Sequence, residues 1–365
     1  MDVVSGARPE DGTEVDLVDA RRAAVSGTAS TDPFAPFFID PPKRFQVLAL
    51  DGGGARGLFA AHILARLESD LGVRITDSFD LIAGTSTGGI IALALGAGLR
   101  PAEIVAHYDR LVDAVFPSRR RRFRPLQLVR PLYSADALRS ALTDVVGDNR
   151  LGDSLKPLII PTWDVELGQV HIFKTPHHPR FTRDWRISMT DVAVATSAAP
   201  TYFPAARVDG CRLVDGGVWA NDPSVVAVTE AVSVFGVPLG AVRVLSVGTI
   251  GEGQDHPKAL DNGGLAQWST RLVPTFMGAT SRAGQGIIQH LVGRSNYLRI
   301  NATIKKSARF SLDAVNRDDV EGLASSVSRV HGPDYTTMFD GHRAYDYEPL
   351  HATGEPTREG EHATL

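Results

Sequence analysis

An α/β fold built on a mostly parallel sheet is what this sequence predicts, and three observations predict it. Short, near-continuous apolar runs alternate with longer segments whose apolar residues recur at three and four spacing, the pattern of buried strands joined by helices. Two of the runs, 45–50 and 79–83, feed directly into turns of small residues that open a helix. The 365 residues are 43% hydrophobic, enough to bury one large core or two ordinary ones.

Taken in order, residues 1–40 hold few large apolar residues before the aromatics at 34–38, so a mobile tail that ends by docking those rings is expected. Residues 45–50 suit a strand buried on both faces, and Asp51-Gly52-Gly53-Gly54-Ala55-Arg56-Gly57 then turns into a helix over 58–68. The same order repeats in a strand at 79–83 and a helix over 87–99. Pro101 opens a third helix whose apolar face runs from Ile104 to Val115. A basic run at 118–124 containing Phe123 reads as a solvated loop or as a patch for anionic headgroups. Ser134 caps a helix to 146, and strands follow at 158–165 and 171–174, where Pro161 suggests an edge or a bulge. A helix over 192–198 stops before Pro200, and Leu213-Val214 leads into a second glycine turn, Asp215-Gly216-Gly217. Asp222 and Pro223 start another helix as cap and first-turn residue, and 242–248 is a late strand. Beyond 251 the pattern weakens into glycine-rich linkers and helices at 275–291 and 318–330. One catalytic domain over 41–345, with a helical extension from about 251 and a disordered tail at 346–365, is the expected organisation.

A formal net charge of −4 excludes a whole-chain affinity for nucleic acid polymers. The lone Cys211, expected in the core, excludes an internal disulfide framework and a cysteine zinc site, which fits a reducing cytosol. The N-terminus shows no signal pattern, and glycines, threonines and Ser86 interrupt the long apolar run 81–99, so a cytoplasmic location is expected.

The chemistry centres on Gly84-Thr85-Ser86-Thr87-Gly88, a G-x-S-x-G elbow that holds a serine hydroxyl at a strand-to-helix turn. A serine needs a base, and Asp215 is the candidate, provided that burial raises its pKa; Gly216 and Gly217 would let the backbone pass close to Ser86. An ester's tetrahedral intermediate needs amide donors already in place, which Gly52, Gly53 and Gly54 can supply, with Arg56 adding positive potential. Asp51 reads as an organiser of its turn.

These blocks, together with Ala198-Ala199-Pro200-Thr201-Tyr202-Phe203, resemble the patatin-like phospholipase family in order and spacing over roughly 45–250. The resemblance implies a three-layer α/β/α fold and a Ser86–Asp215 dyad without histidine. It further implies phospholipase A-type cleavage of membrane lipid esters without metal or cofactor, at a peripherally bound membrane surface. Residues 45–57, 79–96 and 218–220 are similar, more narrowly, to bacterial antiphage (CBASS effector) phospholipases switched on by a cyclic dinucleotide. The one departure is Asn221-Asp222-Pro223, where Asn-Asn-Pro is common. Four alternatives stay open: a constitutive lipid acylhydrolase, an α/β-hydrolase triad completed by His256, His290 or His331, a dinucleotide-binding module built on Gly52, Gly54 and Gly57, and an inactive interaction protein on the same fold, against which the intact dyad argues; self-association into a homo-oligomer is open as well. The P-loop lysine position of that module is taken by Leu58.

Overall fold

The apolar monotony of the first strand has a simple cause. In the computed structural model, which describes residues 42–116, 130–252, 261–264, 268, 272–304 and 310–351, β1 (Phe45–Leu50) is buried on both faces. Phe45, Val47 and Ala49 enter one apolar cluster, and Leu48 and Leu50 enter another. β2 (Leu81–Gly84) pairs parallel with one flank of β1 and β7 (Val242–Val247) with the other; β9 (Tyr297–Ile300) extends the sheet beyond β7, again parallel. Beyond β2 lies β3 (Leu158–Asp164), flanked by β4 (Gln169–Lys174) and β6 (Cys211–Asp215), both antiparallel to it; β5 (Ala206–Val208) closes that end. The result is a mixed, mostly parallel eight-stranded sheet.

Helices cover both faces. The Leu48 side carries α1 (Gly57–Leu71), α2 (Thr87–Gly96), α3 (Pro101–Val115), α4 (Ala135–Val146), α5 (Met189–Thr196) and α8 (Arg317–Phe339). The Phe45 side carries α6 (Ser224–Ser233) and α7 (Leu272–Val292), which bury Ala227, Val228, Ala231, Ile288 and Val292. α2 is buried along its whole length, which explains why it is apolar all round rather than amphipathic.

The flank of β3 that faces the sheet centre has two neighbours in succession. β2 pairs with Leu158 and Ile159, running parallel, and β6 pairs with Thr162 to Asp164, running antiparallel. The two strands therefore point their C-terminal ends at each other across the Ile160–Pro161 stretch of β3. The turn after β6 does not share the direction of those after β1 and β2, because β6 approaches from the opposite side. One expectation is also corrected. Pro161 marks neither a sheet edge nor a bulge; it lies inside the sheet where β2 has ended and β6 has not begun, so a missing amide hydrogen costs no strand bond. Its carbonyl accepts from Thr196 Oγ1 at 2.8 Å.

Other differences come from long-range contacts. The weak pattern beyond 251 hides β9, whose four residues include an arginine, and short pairings such as β8 (Gly251–Glu252) with β10 (Thr303–Ile304). Residues 346–351, expected to be disordered, belong to an ordered strap. Ala344 N donates to Asp77 O, Tyr345 N to Asp80, and Leu350 N to Pro176 O, while the Tyr345 ring stacks on Phe45. Cys211 is only partly buried, at the start of β6 rather than in the core. The N-terminal tail over 1–40 with its aromatics, the basic run at 118–124 and residues 352–365 lie outside the described residues.

A Cβ at Gly88 would stand 2.2 Å from the Leu50 carbonyl oxygen, a backbone atom that cannot step aside. Gly88→Ala should therefore destabilise the fold by about 2 kcal/mol or more, read as a lower urea midpoint at unchanged slope.

Candidate active site

β2 ends at Gly84 and α2 begins at Thr87, leaving two residues to turn the chain. Ser86 makes the turn at φ 54 and ψ −121, a conformation that L-residues rarely adopt and that marks stored strain. The glycines to either side permit it. A Cβ at Gly84 would meet the Gly88 carbonyl oxygen at 2.2 Å, so the elbow closes only without side chains there. The Ser86 amide donates to Thr196 Oγ1 at 3.0 Å, which ties the elbow to the end of α5.

The strand ends meet at the hydroxyl. Ser86 Oγ donates to Asp215 Oδ2 at 2.6 Å, and Gly217 N donates to Asp215 Oδ1 at 2.7 Å. Gly216 packs against the Pro161 carbonyl and starts the single helical turn Gly217–Ala220 that carries the chain away. Burial pushes the Asp215 carboxyl up to about 6, against the opposing pull of those two hydrogen bonds. The carboxylate is thus a stronger base than an exposed one and is mostly ionised at neutral pH.

The glycine turn after β1 divides its amides. Gly52 N donates to Asn221 O at 3.0 Å, so it is already committed and is corrected from its expected place among the oxyanion donors. Gly54 lines the same cleft as Ser86 and Asp215. Among the described residues no acceptor takes the amides of Gly53 or Gly54. Gly54 holds φ 59, and its carbonyl is occupied by the Tyr108 hydroxyl at 2.7 Å; Tyr108 also contacts Thr87 Oγ1. Arg56 does not line the cleft: its Nε leans on Gly53 O at 3.4 Å, so it supports the loop.

Sequence reasoning missed Arg299. This β9 residue forks onto Asp51, with Nη1 to Oδ1 at 2.7 Å and Nη2 to Oδ2 at 2.6 Å. Nη1 also reaches Ser246 Oγ at 2.6 Å and Asp222 Oδ2 at 3.4 Å. Burial alone would lower the guanidinium pKa, but the two carboxylates raise it above its usual value. One cation thereby holds the root of the glycine turn and the segment following the Asp215 turn. Asp222, where the resemblance leads one to look for asparagine, is not the helix cap expected, since Pro223 takes the N-cap position and α6 starts at Ser224; it accepts from Ser224 N at 2.9 Å and supplies the second carboxylate of this clamp. No local signal marks Arg299; only an unexplained Asp51 in an apolar surrounding asks for such a partner.

The cleft, with the open solvent at its mouth, spans about 580 Å³ and is walled largely by apolar side chains, among them Leu111, Val115, Leu138, Phe203 and Met277. Of the three late histidines, His290 is exposed on α7, His331 sits beside Asp334 on α8, and His256 lies outside the described residues. The serine meets its carboxylate directly, with no imidazole between them.

A family model described as patatin-like phospholipase matches residues 48–228. The protein called cGAMP-activated phospholipase in Vibrio cholerae is 33% identical over 340 residues, spanning 83% of this chain and 95% of its own. Proteins of the same name from Pseudomonas aeruginosa and Escherichia coli are 37% and 34% identical, spanning 82% and 77% of this chain and 93% and 86% of theirs.

Two outcomes follow from the electrostatics. Arg299→Gln would leave Asp51 and Asp222 buried without their cation and should cost about 3–5 kcal/mol in chemical denaturation, with Arg299→Lys intermediate because it lacks the fork. Because the folded pKa of Asp215 stands above its unfolded value, the fold holds an extra proton between roughly pH 4 and 6 and loses stability as pH rises through that window. Asp215→Asn should therefore be more stable than the parent at pH 8, by up to about 3 kcal/mol, with the gap closing towards pH 4; paired thermal melts at the two pH values check it.

Proposed function

The chain belongs to the patatin-like phospholipase family, and from that premise we propose that it is a lipid acylhydrolase that cleaves acyl esters of membrane phospholipids with Ser86 and Asp215, under the control of a cyclic dinucleotide. The observation that carries the reading is the 2.6 Å hydrogen bond from a strained elbow serine to a buried carboxylate, at the floor of an apolar cleft.

The reaction follows from that geometry. Ser86 Oγ attacks the ester carbonyl carbon as its proton passes to Asp215 Oδ2. The developing oxyanion takes the amides of the Gly53–Gly54 turn, a contribution worth on the order of 3 kcal/mol per donor. Collapse expels the lysolipid oxygen, which takes the proton from Asp215 and leaves an acyl group on Ser86. A water that gives its proton to Asp215 then attacks the acyl-enzyme, and collapse releases the fatty acid as the proton returns to Ser86 Oγ. The apolar walls suit the acyl chain, whose burial excludes bulk water and keeps Asp215 basic.

Cyclic-dinucleotide control rests on the relatives' names, cGAMP-activated phospholipase, at 33–37% identity over most of both chains. An antiphage role, action at the inner face of the cell membrane and a cytoplasmic resting state belong to the same reading. No helix among the described residues is long and apolar enough to cross a membrane.

Fatty-acid release from phospholipid vesicles, measured with and without a panel of cyclic dinucleotides that includes cGAMP, tests the whole scheme. Release should require a nucleotide, Ser86→Ala and Asp215→Asn should each lose at least 1,000-fold, and kcat/KM should fall below an acid limb near pH 6. Nucleotide-independent release would leave a constitutive acylhydrolase; near-parental turnover in either variant would remove the dyad.

A further inference from the structure

α7 shows two different faces. Its inner side holds Met277, which lines the cleft, and Ser281, which accepts from Asn221 Nδ2 at 2.8 Å beside the glycine turn. Its outer side holds Leu272, Phe276, Ile287 and Leu291, exposed by 37%, 57%, 49% and 47%. At about 100° per residue these four fall within an arc of roughly 100°, joined there by the small exposed Ala283, and the stripe runs roughly 28 Å along the axis. Four large apolar side chains in one row on one exposed helix make a patch, in contrast to the scattered apolar residues normal on a surface.

Charge identifies what the patch meets. The chain carries a net −4, yet from 262 to 312 it contains no aspartate or glutamate and seven lysines and arginines. Of these, Arg299 is spent on Asp51, whereas Arg282 and Arg294 are exposed and have no ion pair among the described residues. An exposed apolar stripe set in a cationic, acid-free segment is the pattern of a helix that lies in the plane of an anionic membrane surface.

We propose that the outer face of α7 seats this protein on an anionic phospholipid surface, with the cleft mouth turned to the bilayer through Met277 on the same helix. The proposal rests on the reading of the cleft as a lipid-ester site, and its test does not need catalysis. Ser86→Ala protein should co-sediment with vesicles containing phosphatidylglycerol, and bind those of phosphatidylcholine alone at least tenfold more weakly. Adding Phe276→Gln and Ile287→Gln, which changes no charge, should reduce binding to the anionic vesicles at least tenfold while leaving molecular mass, melting temperature and hydrolysis of a water-soluble short-chain ester (the last measured with Ser86 intact) unchanged. The single Phe276→Ala variant should lose an intermediate amount. Retained vesicle binding in the double variant, indifference to lipid charge, or a change in oligomeric mass that assigns the stripe to a second copy of the chain would each overturn the proposal. With the panel of cyclic dinucleotides present, failure of the soluble ester to react in the parent would instead count against the acylhydrolase reading.

Discussion

Two strands that run toward one another along the same flank of a third leave a gap between their ends, and in this protein the gap between β2 and β6 is where Ser86 and Asp215 meet. A purely parallel sheet would put both residues at the same edge but on neighbouring loops, each free to move with its own helix. Here both are terminal to strands held by one partner, so the 2.6 Å contact is set by backbone pairing. The rest of the neighbourhood adapts to that constraint. Pro161 occupies the stretch where neither β2 nor β6 pairs, on the flank away from β4, and its carbonyl, freed from the ladder, takes the Thr196 hydroxyl that in turn holds the Ser86 amide.

The buried carboxylates near the cleft differ in their partners. Asp51 and Asp222 share Arg299 and act as struts between β9, the glycine turn and the segment after the Asp215 turn, and burial pushes the Asp51 carboxyl up to about 7 against the pull of that guanidinium. Asp215 has two hydrogen-bond donors, and no cation among the described residues contacts it. A guanidinium at that position would lower its pKa and weaken it as a base. The Arg299 guanidinium is thus spent on these struts and stays clear of the carboxylate that, on the proposed reaction, gives and takes a proton. Both Asp215 and the strained Ser86 store free energy that burial elsewhere offsets, which is characteristic of residues kept for chemistry rather than stability.

What was legible in the sequence was local. Gly84 and Gly88 stand two residues to either side of Ser86; the reason for Gly84 is the Gly88 carbonyl inside that turn, whereas Gly88 answers the Leu50 carbonyl at the end of β1. β1 reads as doubly buried because five of its six residues are apolar, α1, α3 and α4 carry their own periodicity, and Pro101 and Ser134 mark where the last two begin. The loss of legibility begins where a residue's reason lies far along the chain. Arg299 answers Asp51 from 248 residues away, and a four-residue strand with an arginine inside looks like a linker until its partner is known. The direction of β6 is likewise invisible, since Leu213-Val214 before a glycine turn reads the same from either side of the sheet. Gly52 shows the limit within a motif. Three adjacent glycines look equivalent as donors, yet the first is committed to Asn221 O by a contact that no spacing rule foretells.

A buried base in an apolar cleft also constrains the substrate on the proposed reaction. The basicity of Asp215 comes from desolvation, so any ligand that drew water into the cleft would return its pKa towards that of an exposed carboxylate and weaken the attack it promotes. An ester with a long hydrocarbon chain does the reverse, because filling the space between Leu111, Val115 and Phe203 displaces water from beside the dyad. Substrate binding and activation of the nucleophile are then the same event. Met277, which lines the cleft, lies on the same helix as the exposed stripe, which joins the placement of α7 to the chemistry proposed for the serine beside it.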